Sequence, residues 1–282
     1  MADMLTYKYS LPRTAYREYW LAEGGKYRFS AAAAAIHFLR SIPDARCHIR
    51  NIVLDEDHNS VAHPESHVLG LIPFCRENPS LHIVRRASLW NNIFQSALWP
   101  HSGEWTKRIQ RSDDPKLLLA DDITRPVARW MVEAAALGRM GMPQAEDRFT
   151  LILDGDPTPE RTSEIFNQVL QRDAAWQEAT VRRLAVEHPD DPDCIILEDW
   201  DCYTYRAFPR LLKDLVRDGK SGSIRCNFDP GQSQDVDALV AMHPDWDIDA
   251  WDDGWLRHGV GFTTEPPLLD WSEMMRRNVL HM

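Results

Sequence analysis

The sequence predicts an α/β protein in which four or more helix–strand units form a mainly parallel sheet. The arrangement is either an irregular leucine-rich-repeat-like curve or a layered α/β domain. Three observations carry this expectation. A helix-period apolar segment, a turn and a short β-branched run follow one another four times along the chain. Successive runs are separated by helix-length stretches, and parallel strands require a crossover of that kind. With 282 residues, 44% of them hydrophobic and 11 of them tryptophan, the chain can bury a sizeable core.

The first unit opens at Ser30, an N-cap before the helix-favouring run AAAAAIHFLRSI. Pro43-Asp44 stops it, and Ile49, Ile52, Val53 and Leu54 read as a strand. In the second unit Leu69, Ile72 and Phe74 fit a short helix, Glu77-Asn78-Pro79 breaks it, and Leu81–Val84 forms the strand. The third begins near Asp121-Asp122, with Pro126 in the first turn. There Val127, Trp130, Met131, Ala134 and Leu137 mark a buried face, Gly141-Met142-Pro143 closes the helix, and FTLILDGDP holds the strand. A longer helix starts at Thr158 or Pro159, with Ile165, Val169, Leu170, Trp176 and Val181 inward. The segment CIILEDWDCYTY reads as an additional strand. The fourth unit pairs FPRLLKDLVRDGKSG, ending at Gly219, with a strand over Ile224–Phe228. Beyond Pro230 the pattern predicts a helix at Gln234–Met242, loops through Trp255 and a short helix at Leu269–Leu280. Unit lengths are uneven, so no strict repeat period exists. Trp99–Pro115 reads as a packed loop, and no linker stands out. The expectation is one α/β domain over 1–282 with an acidic, Trp-rich C-terminal segment from about residue 230.

The formal net charge of −11 is unevenly spread. Glu187–Glu273 holds 20 acidic and 7 basic residues, a net of −13, so the remainder sums to +2. A field of that sign repels phosphate and argues against nucleic acid as a partner. A basic protein partner suits it better. The N-terminal segment carries charges throughout and lacks an apolar core, unlike a signal peptide. No apolar stretch is long enough to span a bilayer. The five cysteines form no Cys-x-x-Cys pair. Together these features predict a chain of the cytoplasm or nucleus that needs neither disulfides, a membrane nor a cofactor.

Three clusters could carry chemistry. LDEDHNSVAHPESH gathers Asp55, Glu56, Asp57, His58, His63, Glu65 and His67 after a strand. A zinc helix of the His-Glu-x-x-His type needs Glu directly after the first His, and Pro64 occupies that place, so this segment reads as a polar loop rather than a metal site. Secondly, LILDGDPTPE satisfies Asp-x-Asp-x-Thr with Asp154, Asp156 and Thr158 after an apolar strand, where parallel sheets place their sites. The motif resembles the first signature of the haloacid-dehalogenase-type phosphohydrolases. The resemblance implies Asp154 as nucleophile and Asp156 as general acid/base beside Mg²⁺. The later signatures match poorly; Lys213 or Lys220 and Asp229 with Asp235 are the available substitutes. Thirdly, EDWDCYTYRAF and HPDWDIDAWDDGW interleave aromatic and acidic residues. Trp and Tyr are favoured at interface hot spots, so Trp200, Tyr203, Tyr205, Trp246, Trp251 and Trp255 are the candidate partner surface. No Gly-x-Ser-x-Gly, phosphate-loop or Gly-x-Gly-x-x-Gly pattern occurs.

Residues 27–94 also resemble uncharacterised filamentous-fungal proteins in which an F-box-like segment precedes helix–strand units. The matching pieces are Phe29-Ser30-Ala31, FLRSIP ending at Pro43, IRNIVL ending at Leu54, SVAHPESH ending at His67 and GLIPFCRENP ending at Pro79. The F-box itself is not present: Leu11-Pro12-Arg13 before Tyr16, Tyr19 and Trp20 is only a remnant. The resemblance implies no reaction and leaves partner binding through the helix–strand body. Two function classes follow: a non-catalytic, adaptor-like interaction protein, and a Mg²⁺-dependent phosphohydrolase using Asp154 and Asp156.

Overall fold

The structure, a computed structural model, describes residues 28–60, 63–95, 117–187, 204–257, 261–263, 268–269 and 273–274. Residues 194–203 of the strand expected at 194–205, the loop at 99–115 and nearly all of the closing helix lie outside these residues; Thr204 and Tyr205 are not in a strand.

Helix α1 (Ala31–Ser41) starts where the sequence places it. Ser30 is extended, and its side chain accepts a hydrogen bond from the Ala33 N–H. Strand β1 (Asn51–Glu56) follows. A 3-10 segment (Pro64–Leu71) runs into α2 (Ile72–Glu77), and β2 (His82–Ser88) comes next. Strand β3 (Leu117–Leu119) leads into α3 (Ala120–Ala136). Pro126 is therefore inside α3 rather than in its first turn, because the helix begins directly at the end of β3. Its expected buried face is correct: Val127, Met131 and Leu137 are inaccessible to solvent. The short α4 (Ala145–Arg148) precedes β4 (Phe149–Asp154).

A nearly continuous helical stretch then comprises α5 (Pro159–Ile165), a π turn (Phe166–Leu170) and α6 (Gln171–Glu187). Helix α7 (Phe208–Asp218) ends at Gly219 with φ 65°. That is the left-handed value glycine adopts without a steric penalty. Strand β5 (Ile224–Cys226), α8 (Val236–Met242), α9 (Ile248–Arg257) and β6 (Gly261–Thr263) complete the order. Helix α9 stands where the sequence suggested loops. Asp247 sits just before it and accepts from the Ala250 N–H, so one of the aspartates that read as loop residues starts the helix.

Four strands form one all-parallel sheet in the order β1-β2-β4-β5, with helices between the strands, and β3 pairs with β6 as a separate antiparallel pair. The order of the parallel sheet follows the chain. Each crossover steps in the same direction, and right-handed crossovers then keep the connecting helices on one face.

The register aligns the inward rows. Ile52, Ile83 and Phe149 form one; Leu54, Arg85, Leu151 and Ile224 form the next; Glu56, Ala87, Leu153 and Cys226 form the third. Most of these side chains are buried against helices, and each large apolar one contributes about 1.5–3 kcal/mol. The main core extends from Ala32 in α1 through the sheet to Val127 and Met131 in α3 and Leu212 in α7. A second cluster joins Ala175, Trp176 and Ala179 of α6 to Val236 and Leu239 of α8 and Trp251 and Trp255 of α9.

Candidate functional site

Parallel sheets normally have both faces covered and read as continuous apolar runs. This sheet alternates instead. Along β1 the residues run exposed, half-buried, exposed, buried, exposed, buried, and β2 alternates in the same sense over most of its length. The outward positions fall into two rows by register: Val53, Val84 and Thr150, then Asp55, Arg86, Ile152 and Arg225. Val53 is 65% exposed although it is a β-branched residue in mid-strand. Asp55, Arg86 and Arg225 are exposed, while Val84, Thr150 and Ile152 are half-buried. The face therefore combines an apolar strip with a row carrying one carboxylate and two guanidinium groups.

The inward face is closed by a buried ion pair. Arg85 donates to Glu56 Oε1 from Nε at 2.9 Å and from Nη2 at 2.7 Å. Its remaining donors reach the Pro64 and Glu65 carbonyls, and its guanidinium lies 4.2 Å from the centre of the Trp130 ring. Burial pushes the Arg85 guanidinium down from its ordinary value, and the Glu56 carboxylate opposes that shift. Glu56 also accepts from the Ala31 and Ala32 N–H groups at the start of α1, where a carboxylate is favoured by the helix dipole. One carboxylate thus ties α1, β1 and β2 together.

The polar loop after β1 is consumed by similar local contacts. His67 Nδ1 lies 2.7 Å from Ser30 Oγ, His58 pairs with Asp57, and His63, at φ 57°, pairs with Glu65. Among the described residues, no three His, Cys, Asp or Glu side chains are placed to hold a metal ion.

Asp154 stands at the C-terminal end of β4, as the sequence indicated, and is 7% exposed. Its Oδ1 accepts from Asn227 Nδ2 at 2.6 Å and from the Asp156 N–H at 3.1 Å, and its Oδ2 lies 3.8 Å from Arg86 Nε. The carboxylate therefore closes a turn. Three of the four proposed companions are occupied elsewhere. Asp229 accepts from the Gly231 N–H, Asp235 caps α8 and Lys213 pairs with Glu178. The constellation a phosphohydrolase needs around Asp154 and Asp156 is not assembled among the described residues.

The aromatic candidates divide. Trp200 and Tyr203 lie outside the described residues. Tyr205 is 37% exposed and Trp246 is half-buried. Trp251 and Trp255 are 0% and 1% exposed, so the expectation of a surface role is corrected for both. The physical reason is the unforeseen helix α9, which turns one apolar face onto α6 and α8. Trp251 packs edge-on to Trp176 at 5.5 Å between ring centres, and Trp255 donates its indole N–H to Asp173 at 3.2 Å. Gly254 permits this packing, because a Cβ there would collide with the Trp246 ring. Several of the interleaved aspartates serve the helices: Asp235 and Asp247 cap, and Asp237 pairs with Arg182.

Sequence reasoning missed Val53, Arg86, Ile152 and Arg225 as a group. The signal was present in HIVRRAS and SIRC, where Arg86 and Arg225 interrupt the apolar runs of two strands. The fold and this face define a class: a parallel α/β protein, wound in one direction, that leaves one face of its sheet open among the described residues. Comparison of the chain with protein-family models, with curated proteins and with solved structures gives no match. No helix among the described residues is long and apolar enough to cross a membrane.

Proposed function

We propose that this chain is a non-catalytic, adaptor-like interaction protein that seats a protein partner on the outward face of its parallel sheet. The observation that carries the reading is the exposure of Val53 beside the half-buried Val84 and Ile152, on a face that parallel sheets ordinarily cover. Sheet-based proteins with open faces bind through them, because strand side chains there are held rigidly and in register. A nucleic acid is disfavoured by the net charge of −11, and the −13 carried by Glu187–Glu273 steers a basic protein surface towards the molecule. Steering by summed charge and seating by local side chains are separate effects, so the seat need not share the sign of the field. The resemblance read in residues 27–94 to fungal F-box-like proteins implies a partner-binding role, which we assign to the cytoplasm or nucleus.

The test is photo-crosslinking from the face itself. A benzophenone side chain at position 53 should crosslink a discrete protein in cells. The same group at Met140, exposed but away from the sheet, should not. Ile152→Thr, which keeps a β-branched side chain in the strand, should weaken the crosslink strongly with only a small fall in melting temperature. Equal crosslinking from both positions, or none from position 53, rejects the reading. Mg²⁺-dependent phosphatase turnover lost in Asp154→Asn would favour the enzyme instead.

A further inference from the structure

The outward face carries a charge arrangement of its own. Arg86 and Arg225 occupy one cross-strand row, separated by Ile152. Two strand spacings place their backbones about 10 Å apart. Arg225 is exposed and makes no ion pair or side-chain hydrogen bond among the described residues. The Arg86 side chain is 54% exposed, and its contact with Asp154 is long, at 3.8 Å. The two hydrogen bonds of that carboxylate fall on Oδ1, and Arg86 Nε stays beyond hydrogen-bond reach of Oδ2, so the contact holds Arg86 weakly. Asp55, at the β1 end of the row, is paired with Arg86 in register but lies outside ion-pair distance of it. Two planar forks of donors thus face solvent on either side of an aliphatic side chain, next to the apolar strip of Val53 and Val84.

We propose that the occupant of this face is an extended, acidic segment of a partner protein, laid across the strands with carboxylates on Arg86 and Arg225 and an apolar side chain against Ile152 and Val84. Guanidinium groups bind carboxylates through paired, charge-assisted hydrogen bonds, and Arg is the residue suited to that geometry. Two arginines about 10 Å apart can both be engaged by a short extended segment, which rises about 3.3 Å per residue. Asp55 sets the orientation: it repels a carboxylate at the β1 edge and confines the acidic part of the segment to β2, β4 and β5. This inference rests on the proposed role of the sheet face and names the chemistry of its occupant.

Fluorescence polarisation with the full chain tests it. The probe is a labelled twelve-residue peptide in which Glu and Leu take turns at every second position with Ser between them, so that both residue types share one face of the extended chain; controls replace every Glu by Gln or by Lys, and a further control is a labelled single-stranded DNA. The Glu peptide should bind saturably and the Gln peptide at least about tenfold more weakly, a ratio expected when a charge-assisted contact is lost. Arg86→Gln combined with Arg225→Gln should weaken the Glu peptide by a similar factor, and both substitutions are at exposed positions that leave the fold intact. Equal binding of Glu and Gln peptides, preference for the Lys peptide or for DNA, or an unchanged double variant would each overturn the acidic assignment. If the position-53 crosslink persists in that event, the face still binds a protein and only the chemistry of the occupant is wrong. If the crosslink is also absent, the role of the face fails with it.

Discussion

Arg85 and Glu56 meet on the covered side of the sheet as a fully buried pair, with Arg85 Nε and Nη2 both donating to Glu56 Oε1 at 2.9 and 2.7 Å. The neighbouring position on β2, Arg86, points the other way and is 54% exposed. Two consecutive arginines thus do opposite work because a strand turns successive side chains to opposite faces.

Breaking the pair from one side should be severe. Glu56→Ala leaves the Arg85 guanidinium buried with carbonyl partners only and frees the first N–H groups of α1. A loss of about 3–5 kcal/mol is expected, read as a fall in the urea midpoint. Replacing both partners with apolar residues, as in Glu56→Leu with Arg85→Met, should recover much of that loss, because it removes the stranded charge.

The tryptophans of α9 should behave as core. Trp251→Ala is expected to lose about 3–5 kcal/mol. Trp255→Phe should lose about 1–3 kcal/mol, since Asp173 Oδ1 keeps Arg172 but forfeits the indole donor. Chemical denaturation of the two variants checks both figures. A change within about 0.5 kcal/mol, the ordinary range of surface substitutions, would place these rings outside the core.

The outward face should show the converse. Val53→Thr and Arg225→Gln should each shift stability by no more than about 0.5 kcal/mol, because both side chains are exposed and neither is paired among the described residues. Their effect should appear in partner capture and not in the melting temperature.

Glu178 provides a pH dependence. Burial pushes its carboxyl up, but hydrogen bonds and attraction from Lys213 and Arg182 outweigh that and hold it below the ordinary carboxylate range. A carboxyl depressed in the folded state contributes stability above its unfolded pKa and loses it as pH falls through the folded value. Wild type should therefore exceed Glu178→Gln in urea midpoint at neutral pH, and the two should converge as pH drops below about 4. A gap that stays constant with pH would show that the ion pairs contribute nothing.

Gly219 tests the end of α7. Its φ of 65° lies in the left-handed region, and a Cβ there meets no atom within 4 Å. Gly219→Ala should cost about 1–2 kcal/mol from the backbone alone. Gly219→Asn should cost less, because Asn adopts this conformation more readily. Thermal melts of the two variants distinguish backbone strain from steric conflict.

Much of this architecture was legible in the sequence, for local reasons. Ser30 before an alanine run, Gly219 after an amphipathic segment and β-branched runs between them specify helix ends and strands through propensity and capping, which act over a few residues. That is why the four parallel strands, the buried stripe of α3 and the position of Asp154 at a strand end all appear where expected. The order of strands, the closure of one face only and the fate of individual side chains were decided by packing. Trp251 and Trp255 sit among aspartates and read as surface, yet α9 lays them on Trp176 and Asp173, residues some 80 positions away. Asp154 carries the motif of a nucleophile, yet Asn227 claims it as a turn residue. Arg85 and Arg86 cannot be told apart by composition, and only the register of β2 against its neighbours decides that one seals the core while the other faces outward. Local sequence determines which backbone shapes are favourable; which side chains lose their water depends on surfaces brought together from distant parts of the chain, and that only the tertiary structure decides.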